Sequence, residues 1–235
     1  QLFTVRDETS KNFIHTLQAV ADMGYSGVEF FNYGDIPAKE LRKVLEDIGL
    51  CAVNTHVSIS RFEYDLNKEL DYASELDVRD VTLLRIPEDR RKNIKDYFNF
   101  AETLNEIGAK CKERGIRFHF HNHYYEFDKF DEITGMDIII SNTNKDNVCI
   151  ELDTFWVEFA GVDSIAYLQE NKDRIRMIHL KDMIKEQDPP FAEIGNGTLN
   201  IKGILNACKE SLVEWIVVEQ DRCLRPQLES AKISI

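Results

Sequence analysis

The 235-residue sequence lacks the features by which several classes of protein are recognised. Its five cysteines include no CxxC pair, so neither a disulfide framework nor a zinc knuckle is indicated, and a reducing cytoplasm is the expected compartment. No run is long and apolar enough to span a membrane, and the first residues, from Gln1, show no basic-then-apolar signal pattern. We therefore expect a cytoplasmic protein that does not associate with a membrane.

Basic charge is also scarce. The chain has 29 lysines and arginines against 42 acidic residues, which gives a formal net charge of −13 at pH 7. A chain of this sign repels a phosphate backbone, so nucleic acid is not an expected partner. Neither a P-loop nor a G-x-G-x-x-G turn occurs, and a dinucleotide site is therefore not indicated.

Strand-like and helix-like segments alternate along the whole chain. Leu2–Val5 is predicted as the first strand, and helical spacing follows from Phe13 until Gly24 ends it. Seven further strands are predicted at residues 26–31, 50–58, 80–86, 116–127, 148–153, 175–181 and 215–219, with helix-period segments between them. The alternation favours an α/β fold, and eight repeats predict a single (β/α)8 TIM barrel over residues 1–235. A doubly wound open sheet is the alternative, but no glycine-rich turn supports it.

The fifth predicted strand, residues 116–127 (IRFHFHNHYYEF), contains three of the six histidines at alternate positions. Because side chains alternate along a strand, His119, His121 and His123 would share one face, and Phe118 and Phe120 the other. An apolar face opposite a face of metal-ligand-type residues suits a barrel strand whose outer side packs on helices. Taken alone, the pattern also fits a histidine-rich surface strand.

Polar residues recur at the ends of the other predicted strands with the same inward parity. The active sites of such barrels lie at the C-terminal ends of the strands. The candidates there are Glu29, His56, Arg85, His121, His123, Glu151, Asp153, His179, Lys181 and Glu219. Histidine and carboxylate ligands from separate strands suit one divalent ion such as Zn²⁺, Mn²⁺ or Co²⁺, whereas Mg²⁺ prefers oxygen ligands and is less favoured. Any one of these carboxylates alone would ordinarily be a helix cap or a solvated charge.

Motifs along essentially the whole chain resemble those of the sugar phosphate isomerase/epimerase superfamily, the xylose isomerase-like TIM barrels. They are TVRD at 4–7, GYSGVEFF at 24–31, TH at 55–56, FHNHYYEF at 120–127, ELDTFW at 151–156, HLKD at 179–182, EIGNG at 193–197 and VVEQD at 217–221. Their order and spacing are specific to the fold. They are poor guides to substrate, because the superfamily contains epimerases, isomerases, dehydratases and lyases.

By position, the resemblance implies that Asp153, His179 and Glu219 are metal ligands. His121 stands where the epimerases have a glutamate as fourth ligand. In those enzymes two metal-bound glutamates exchange the proton on either face of the substrate carbon, so a histidine removes half of the pair. The step from His121 to His123 instead resembles the dehydratases, in which a histidine beside the metal acts as general base.

The resemblance implies a divalent-metal-dependent isomerase or epimerase that forms an enediolate from a keto-sugar or related polyol. His123 or Glu219 would remove the α-proton, and Lys181 would balance the negative charge. The alternative is a metal-dependent dehydratase or lyase, similar to inosose dehydratases or 3-keto-glycoside lyases, with His123 as base. A non-catalytic sugar-binding barrel is a further alternative. AP-endonuclease-type nucleases share the barrel, but the charge balance disfavours them.

A small-molecule carbohydrate is the expected partner, and a homo-oligomer is compatible with the sequence. Trp156 stands where ketose epimerases often have a substrate-binding histidine, and its indole would either stack on a sugar ring or belong to the buried core. Glu126 or Glu29 would hold substrate hydroxyls, although a salt bridge at a strand end is the ordinary interpretation of Glu126 and of Lys181. The residues expected to contact substrate are Glu29, His56, Arg85, Glu126 and Trp156.

Overall fold

Seven parallel strands form the wall of a nearly closed barrel in the computed structural model, which describes residues 1–235. The strands pair in chain order: β1 (Gly27–Phe30), β2 (Cys51–Val57), β3 (Asp80–Leu83), β4 (Arg117–His121), β5 (Val148–Asp153), β6 (Ile175–Leu180) and β7 (Trp215–Val218). The register sets His121 beside Glu151 and Asp153 beside His179. The pairing therefore brings the polar ends of neighbouring strands together.

Helices surround this wall, and most of them connect successive strands. They are α1 (Arg6–Lys11), α2 (Phe13–Asp22), α3 (Ala38–Ile48), α4 (Ile59–Leu76), α5 (Ile94–Glu113), α6 (Gly135–Asn142), α7 (Thr154–Phe159), α8 (Ser164–Glu170), α9 (Ile201–Lys209) and α10 (Gln227–Ile233). Two short antiparallel hairpins, Lys129–Phe130 with Ile133–Thr134 and Asp182–Met183 with Phe191–Ala192, lie in the connections. None of the helices combines the length and apolar content needed to cross a membrane.

The predicted first strand is wrong. Leu2–Val5 forms a 3-10 helix that leads into α1. Leu2 and Val5 are both buried, and a four-residue apolar run fits a helical turn as well as a strand. Single hydrogen bonds join this segment to β7: the amino group of Gln1 donates to Val218 O at 2.8 Å, and Gln220 N donates to Thr4 Oγ1 at 3.0 Å. The barrel prediction is confirmed, with seven strands instead of eight.

The histidine-rich strand follows the predicted parity over part of its length. Phe118 and Phe120 are buried on the outer face, where the ring of Phe62 from α4 meets Phe118 edge-on at 5.3 Å. His119 and His121 are buried on the inner face. The strand ends at His121, and Tyr124–Phe127 is a 3-10 helix. The prediction of a strand through residue 127 is therefore wrong, and His123 lies in the loop.

A charged cluster supports the beginning of β3 and β4. His119 Nε2 lies 2.7 Å from Asp80 Oδ1, and Arg117 donates to both oxygens of the same carboxylate at 2.7 and 3.0 Å. The other side of the Arg117 guanidinium binds Glu214, one residue before β7. Burial opposes ionisation of Asp80, but the hydrogen bonds from His119 and Arg117 outweigh it and hold the pKa of this carboxyl below its ordinary value. The cluster ties three strands together.

We expect Asp80→Asn to destabilise the fold by about 2–4 kcal/mol, because a neutral amide cannot replace the two charge-assisted hydrogen bonds that the buried carboxylate accepts from Arg117. Asp71→Asn is the matched control, since Asp71 pairs with Arg114 at the exposed surface, where such pairs contribute about 0–1 kcal/mol. The folded-state pKa of Asp80 lies below the unfolded value, so its contribution is present above about pH 4 and is lost as the pH falls further. Urea unfolding at pH 7 and pH 3 measures both effects, and equal losses for the two variants would contradict the assignment.

Candidate active site and metal centre

Three of the predicted metal ligands, Asp153, His179 and Glu219, offer atoms within 4.8 Å of one another at the C-terminal ends of their strands, and His121 at the end of β4 lies beside them. His179 Nδ1 lies 2.9 Å from Glu219 Oε2 and 3.9 Å from Asp153 Oδ2, and His121 Nε2 lies 3.8 Å from the same Asp153 oxygen. All four side chains are buried. These separations are near those between neighbouring ligands of one ion that is bound at about 2.0–2.2 Å.

A second set of donors shares His121 and His179 with the predicted ligands. His56, His121, Glu151 and His179 each offer an atom within 4.8 Å of the others. Glu29 Oε1 lies 2.7 Å from His179 Nε2 and 3.2 Å from His56 Nε2. The structure therefore places Glu29 and His56, both predicted substrate contacts, against the imidazole of a predicted ligand.

Several polar partners of this buried set were not predicted. Asn54 Nδ2 donates to Glu29 Oε2 and to Thr82 Oγ1, both at 2.7 Å, and Gln1 Nε2 donates to Glu29 Oε1 at 2.7 Å. The inward parity that Asn54 shares with His56 on β2 was a usable signal. No local pattern connects Gln1 with Glu29, which is 28 residues away.

The two oxygens of the Asp153 carboxylate have different partners. Its Oδ1 accepts hydrogen bonds from the backbone N–H groups of Phe155 and Trp156, at 3.0 and 3.1 Å, and so caps α7. Asn122 fixes the backbone by accepting from Asp153 N at 2.9 Å. Asp153 Oδ2 is buried and faces the Lys181 ammonium, with Nζ at 2.9 Å. One oxygen caps a helix, and the other faces a cationic group.

Lys181 lies among three carboxylates. Its Nζ is 2.9 Å from Asp153 Oδ2, 2.6 Å from Glu219 Oε2 and 2.7 Å from Asp221 Oδ2. Burial disfavours the ammonium, but these carboxylates outweigh burial and raise the pKa of Lys181 well above its ordinary value. Lys181 thus makes the salt bridges that were its ordinary interpretation, and the same contacts put a fixed positive charge beside Asp153 and Glu219. Asp221 was not predicted as a site residue.

Lys181 alone does not balance the buried negative charge. Three buried carboxylates, Glu151, Asp153 and Glu219, belong to the two sets, and a fourth, Glu29, contacts the histidines His56 and His179. Burial opposes protonation of His56, but Glu29 and Glu151 outweigh it and raise the pKa of this imidazole to about 9. Burial also opposes protonation of His179, but the carboxylates Glu29, Glu151 and Glu219 outweigh it and raise the pKa of this imidazole well above its ordinary value. Further positive charge would therefore stabilise these buried carboxylates, supplied either by protons on the imidazoles or by a divalent cation.

The residues fit a divalent ion. The donors are imidazole nitrogens and carboxylate oxygens, which borderline ions prefer, and Asp153, His179 and Glu219 offer theirs within 4.8 Å of one another. Burial and the nearby positive groups lower the pKa of His121 well below its ordinary value, so its imidazole is neutral, as a ligand must be.

His123, Glu126 and Trp156 line the outer part of the site. Burial lowers the pKa of His123 to about 3, and its Nδ1 is buried without a hydrogen-bond partner. The His123 ring lies 5.1 Å from that of His121 and 6.0 Å from that of Trp156, whose Nε1 is also buried and unpartnered. The structure therefore brings two free ring nitrogens to the edge of the candidate metal centre.

Glu126 and Arg85 differ from the other predicted substrate contacts. Glu126 Oε2 accepts a hydrogen bond from His123 N at 2.7 Å, and burial raises the pKa of this carboxyl to about 8. Glu126 thus holds the His123 backbone, and its Oε1 has no partner. Arg85 is exposed in the loop after β3, outside the buried cluster, and it shares a cavity with His123.

A parallel barrel with buried histidines and carboxylates at the C-terminal ends of its strands defines a TIM-barrel protein with an enzyme-like site. Residues 17–234 match the xylose isomerase-like TIM barrel family, and the chain belongs to this family. The predicted resemblance is thereby confirmed.

Known proteins similar to this chain carry the names of dehydratases, isomerases and epimerases. The inosose dehydratase of Mesomycoplasma hyopneumoniae (strain 7448) is 28% identical over 194 residues, which are 75% of this chain and 64% of that protein. Matches to inosose dehydratases of three Clostridium species cover only 31–50% of their lengths, so the chain spans about half or less of those relatives.

Solved structures show the same fold. A sugar phosphate isomerase/epimerase from Parabacteroides distasonis ATCC 8503 has a TM-score of 0.86 and 24% identity, over 100% of this chain and 90% of that chain. A D-allulose 3-epimerase from Methylomonas sp. in complex with D-allulose has a TM-score of 0.73 and 14% identity, over 94% and 88%. At these identities the similarity establishes the fold alone.

Proposed function

We propose that the protein is a divalent-metal-dependent dehydratase that removes the proton α to the carbonyl of a keto-sugar or keto-polyol and then eliminates a β-hydroxyl group as water. The observation that carries this proposal is the buried, neutral imidazole of His123, whose ring lies 5.1 Å from the ring of the predicted ligand His121. The names of the curated relatives, inosose dehydratases, support it.

His121, Asp153, His179 and Glu219 would hold the ion. When bound, a divalent ion acts as a Lewis acid that polarises the substrate carbonyl and so acidifies the neighbouring C–H. The chain's own groups do the rest: Lys181 adds a fixed positive charge near the developing enediolate, and the free Nε1–H of Trp156 is a donor for a substrate oxygen.

His123 is suited to move the proton. Its imidazole is neutral at pH 7, because burial and then Lys181 lower its pKa, and the negative charge of an enediolate beside the ring would raise this pKa again as the proton is transferred. The resulting imidazolium returns this proton to the departing hydroxyl, so water leaves and the imidazole is restored. Glu126 acts as a positioning residue, because its carboxyl holds the backbone N–H of His123.

The isomerase or epimerase reaction, which the sequence analysis put first, is the second candidate. Reprotonation of the same enediolate would give it, with Glu219 as the group that exchanges the proton. The fold similarity to a sugar phosphate isomerase/epimerase and to an allulose epimerase supports this candidate. His121 weighs against epimerisation, because it replaces the second carboxylate of the epimerases.

The test is elemental analysis of the purified protein, followed by a screen of keto-sugars and inososes in deuterated water with Zn²⁺, Mn²⁺ or Co²⁺. Loss of water from the substrate, seen by NMR and mass spectrometry, supports the dehydratase. Deuterium uptake with isomerised product and no loss of water would replace it by the second candidate. A chain that binds ligands but neither exchanges nor converts any of them would be a sugar-binding barrel.

Metal binding should release about one proton or more per ion at pH 7, because His179 must be neutral to act as a ligand. The pKa of His179 is raised well above its ordinary value in the metal-free protein, so protons and metal compete for this imidazole, and metal affinity should rise as the pH is increased from 7 to 9. Calorimetric titration in buffers of different ionisation enthalpy measures the released protons. An affinity that is unchanged across this range would contradict the assignment of His179.

A further inference from the structure

A cavity of about 530 Å³ opens beside His123, outside the buried ligand set. Its walls are the first residues of α4, the loop that follows β3, Arg91, and the turn that carries His123 and Tyr125. This volume lies within the range of small-molecule sites, about 300–1,000 Å³. Substrate held at the candidate metal centre would have this space for the part of the molecule beyond His123.

Two arginines give the cavity a positive character. Arg85 and Arg91 both line it, and neither lies within ion-pair distance of a carboxylate anywhere in residues 1–235. Glu88 is the one acidic side chain in the lining. Arg90, between them in sequence, instead pairs with Glu63 and does not line the cavity. In a chain with a net charge of −13, two unpaired guanidinium groups beside the site call for an anionic partner.

Arg91 is held in place without its charge being neutralised. Its Cζ lies 3.6 Å from the centroid of the Tyr125 ring, and its Nε donates to Ile86 O at 3.3 Å. The Tyr125 ring stacks in turn on the His123 imidazole, with centroids 5.2 Å apart and planes at 6°. Guanidinium, phenol and imidazole thus form one stack. A group bound by Arg91 would therefore have a fixed position relative to His123.

We propose that this cavity is an anion subsite, in which Arg85 and Arg91 bind a carboxylate or phosphate group carried by the substrate. The inference rests on the proposed function in one respect, that the carbonyl end of the same substrate reaches His123. The planar fork of an arginine binds either anion in bidentate fashion. The hydroxyls of Ser58 and Ser60, 3.0 Å apart at the beginning of α4, supply further donors in the same cavity. The substrate class would be keto-acids or phosphates of sugars rather than neutral sugars.

Equilibrium binding tests the subsite without requiring turnover. The probes are glucuronate, glucose 6-phosphate and neutral glucose, titrated against the full chain and followed by NMR of the arginine side chains. We expect at least one anionic probe to bind, and Arg85→Gln with Arg91→Gln together to weaken it about ten- to a hundredfold. Arg90→Gln is the matched control and should leave its affinity unchanged. The stronger of the two anions identifies carboxylate or phosphate.

Two results would overturn the subsite: glucose binding as tightly as both anions, or anion binding that survives in the double variant. Each of these leaves the proposed dehydratase intact, since neutral keto-sugars would then be its substrates. Conversely, the chain could bind an anion through both arginines and yet convert no keto-sugar. This result would support the subsite and contradict the proposed reaction.

Discussion

The Asp153→Asn variant should retain almost no divalent metal, and its turnover should fall about a thousandfold, since a divalent ion contributes several kcal/mol to the transition state. Asn keeps the oxygen that caps α7 but replaces the charged Oδ2, which faces the candidate metal centre, by a neutral N–H donor. Elemental analysis after dialysis measures retention, and initial rates with added metal measure activity.

A matched control separates loss of metal from loss of the helix cap. Asp163 caps α8 in the same way, with Oδ1 accepting from the N–H groups of Ile165 and Ala166 at 2.9 and 3.0 Å. Asp163→Asn therefore makes the same chemical change far from the ligands and should keep both metal and activity. An Asp153→Asn protein that retains one ion per chain would remove Asp153 from the ligand set.

The second large effect is expected from His123→Gln. Loss of a positioned general base lowers kcat by about a hundred- to ten-thousandfold, whereas the metal content should not change because His123 is outside the ligand set. The backbone N–H that donates to Glu126 is preserved in this variant. The measurement is the rate of α-deuterium exchange in deuterated water, together with the rate of water loss.

His15→Gln, on the exposed surface of α2, is the control for replacing a histidine. If exchange of the α-proton continues at the wild-type rate in His123→Gln, then His123 is not the base, and Glu219 becomes the candidate. If exchange continues while water loss stops, then His123 acts as the acid that protonates the leaving hydroxyl. The first result tests whether His123 removes the α-proton, and the second tests whether it protonates the leaving hydroxyl.

Strand parity made much of the site predictable. His121, Asp153 and His179 occupy inward positions near the ends of paired strands, so a simple alternation rule brings them together. The rule failed at Leu2–Val5, because a short apolar run satisfies a 3-10 turn equally well, and the choice depends on the partners Val218 and Gln220 far along the chain.

The alternation rule also failed beyond His121, for a local reason. Asn122 accepts from Asp153 N at 2.9 Å and donates to Asp153 O at 3.2 Å, so its side-chain amide replaces the next pair of backbone bonds between β4 and β5. The backbone of β4 is thereby released into the loop that carries His123. Hydrophobic periodicity does not indicate where a side-chain amide will replace backbone hydrogen bonds. In the proposed anion subsite, Arg85 was predicted by its position near the end of a strand, whereas Arg91 lies in a loop with no regular pattern and was not.

The two oxygens of the Asp153 carboxylate connect the candidate metal centre with the first turn of α7. Its Oδ1 holds the first turn of α7, and Trp156 belongs to that turn. A carboxylate that binds a cation through one oxygen would keep the first turn of α7 in place through the other, so that a predicted ligand and Trp156 belong to one hydrogen-bonded unit. The other tryptophan, Trp215, begins β7 at the opposite end of the barrel. The two tryptophans therefore differ in their relation to the candidate metal centre, because only Trp156 shares a capped turn with one of its residues.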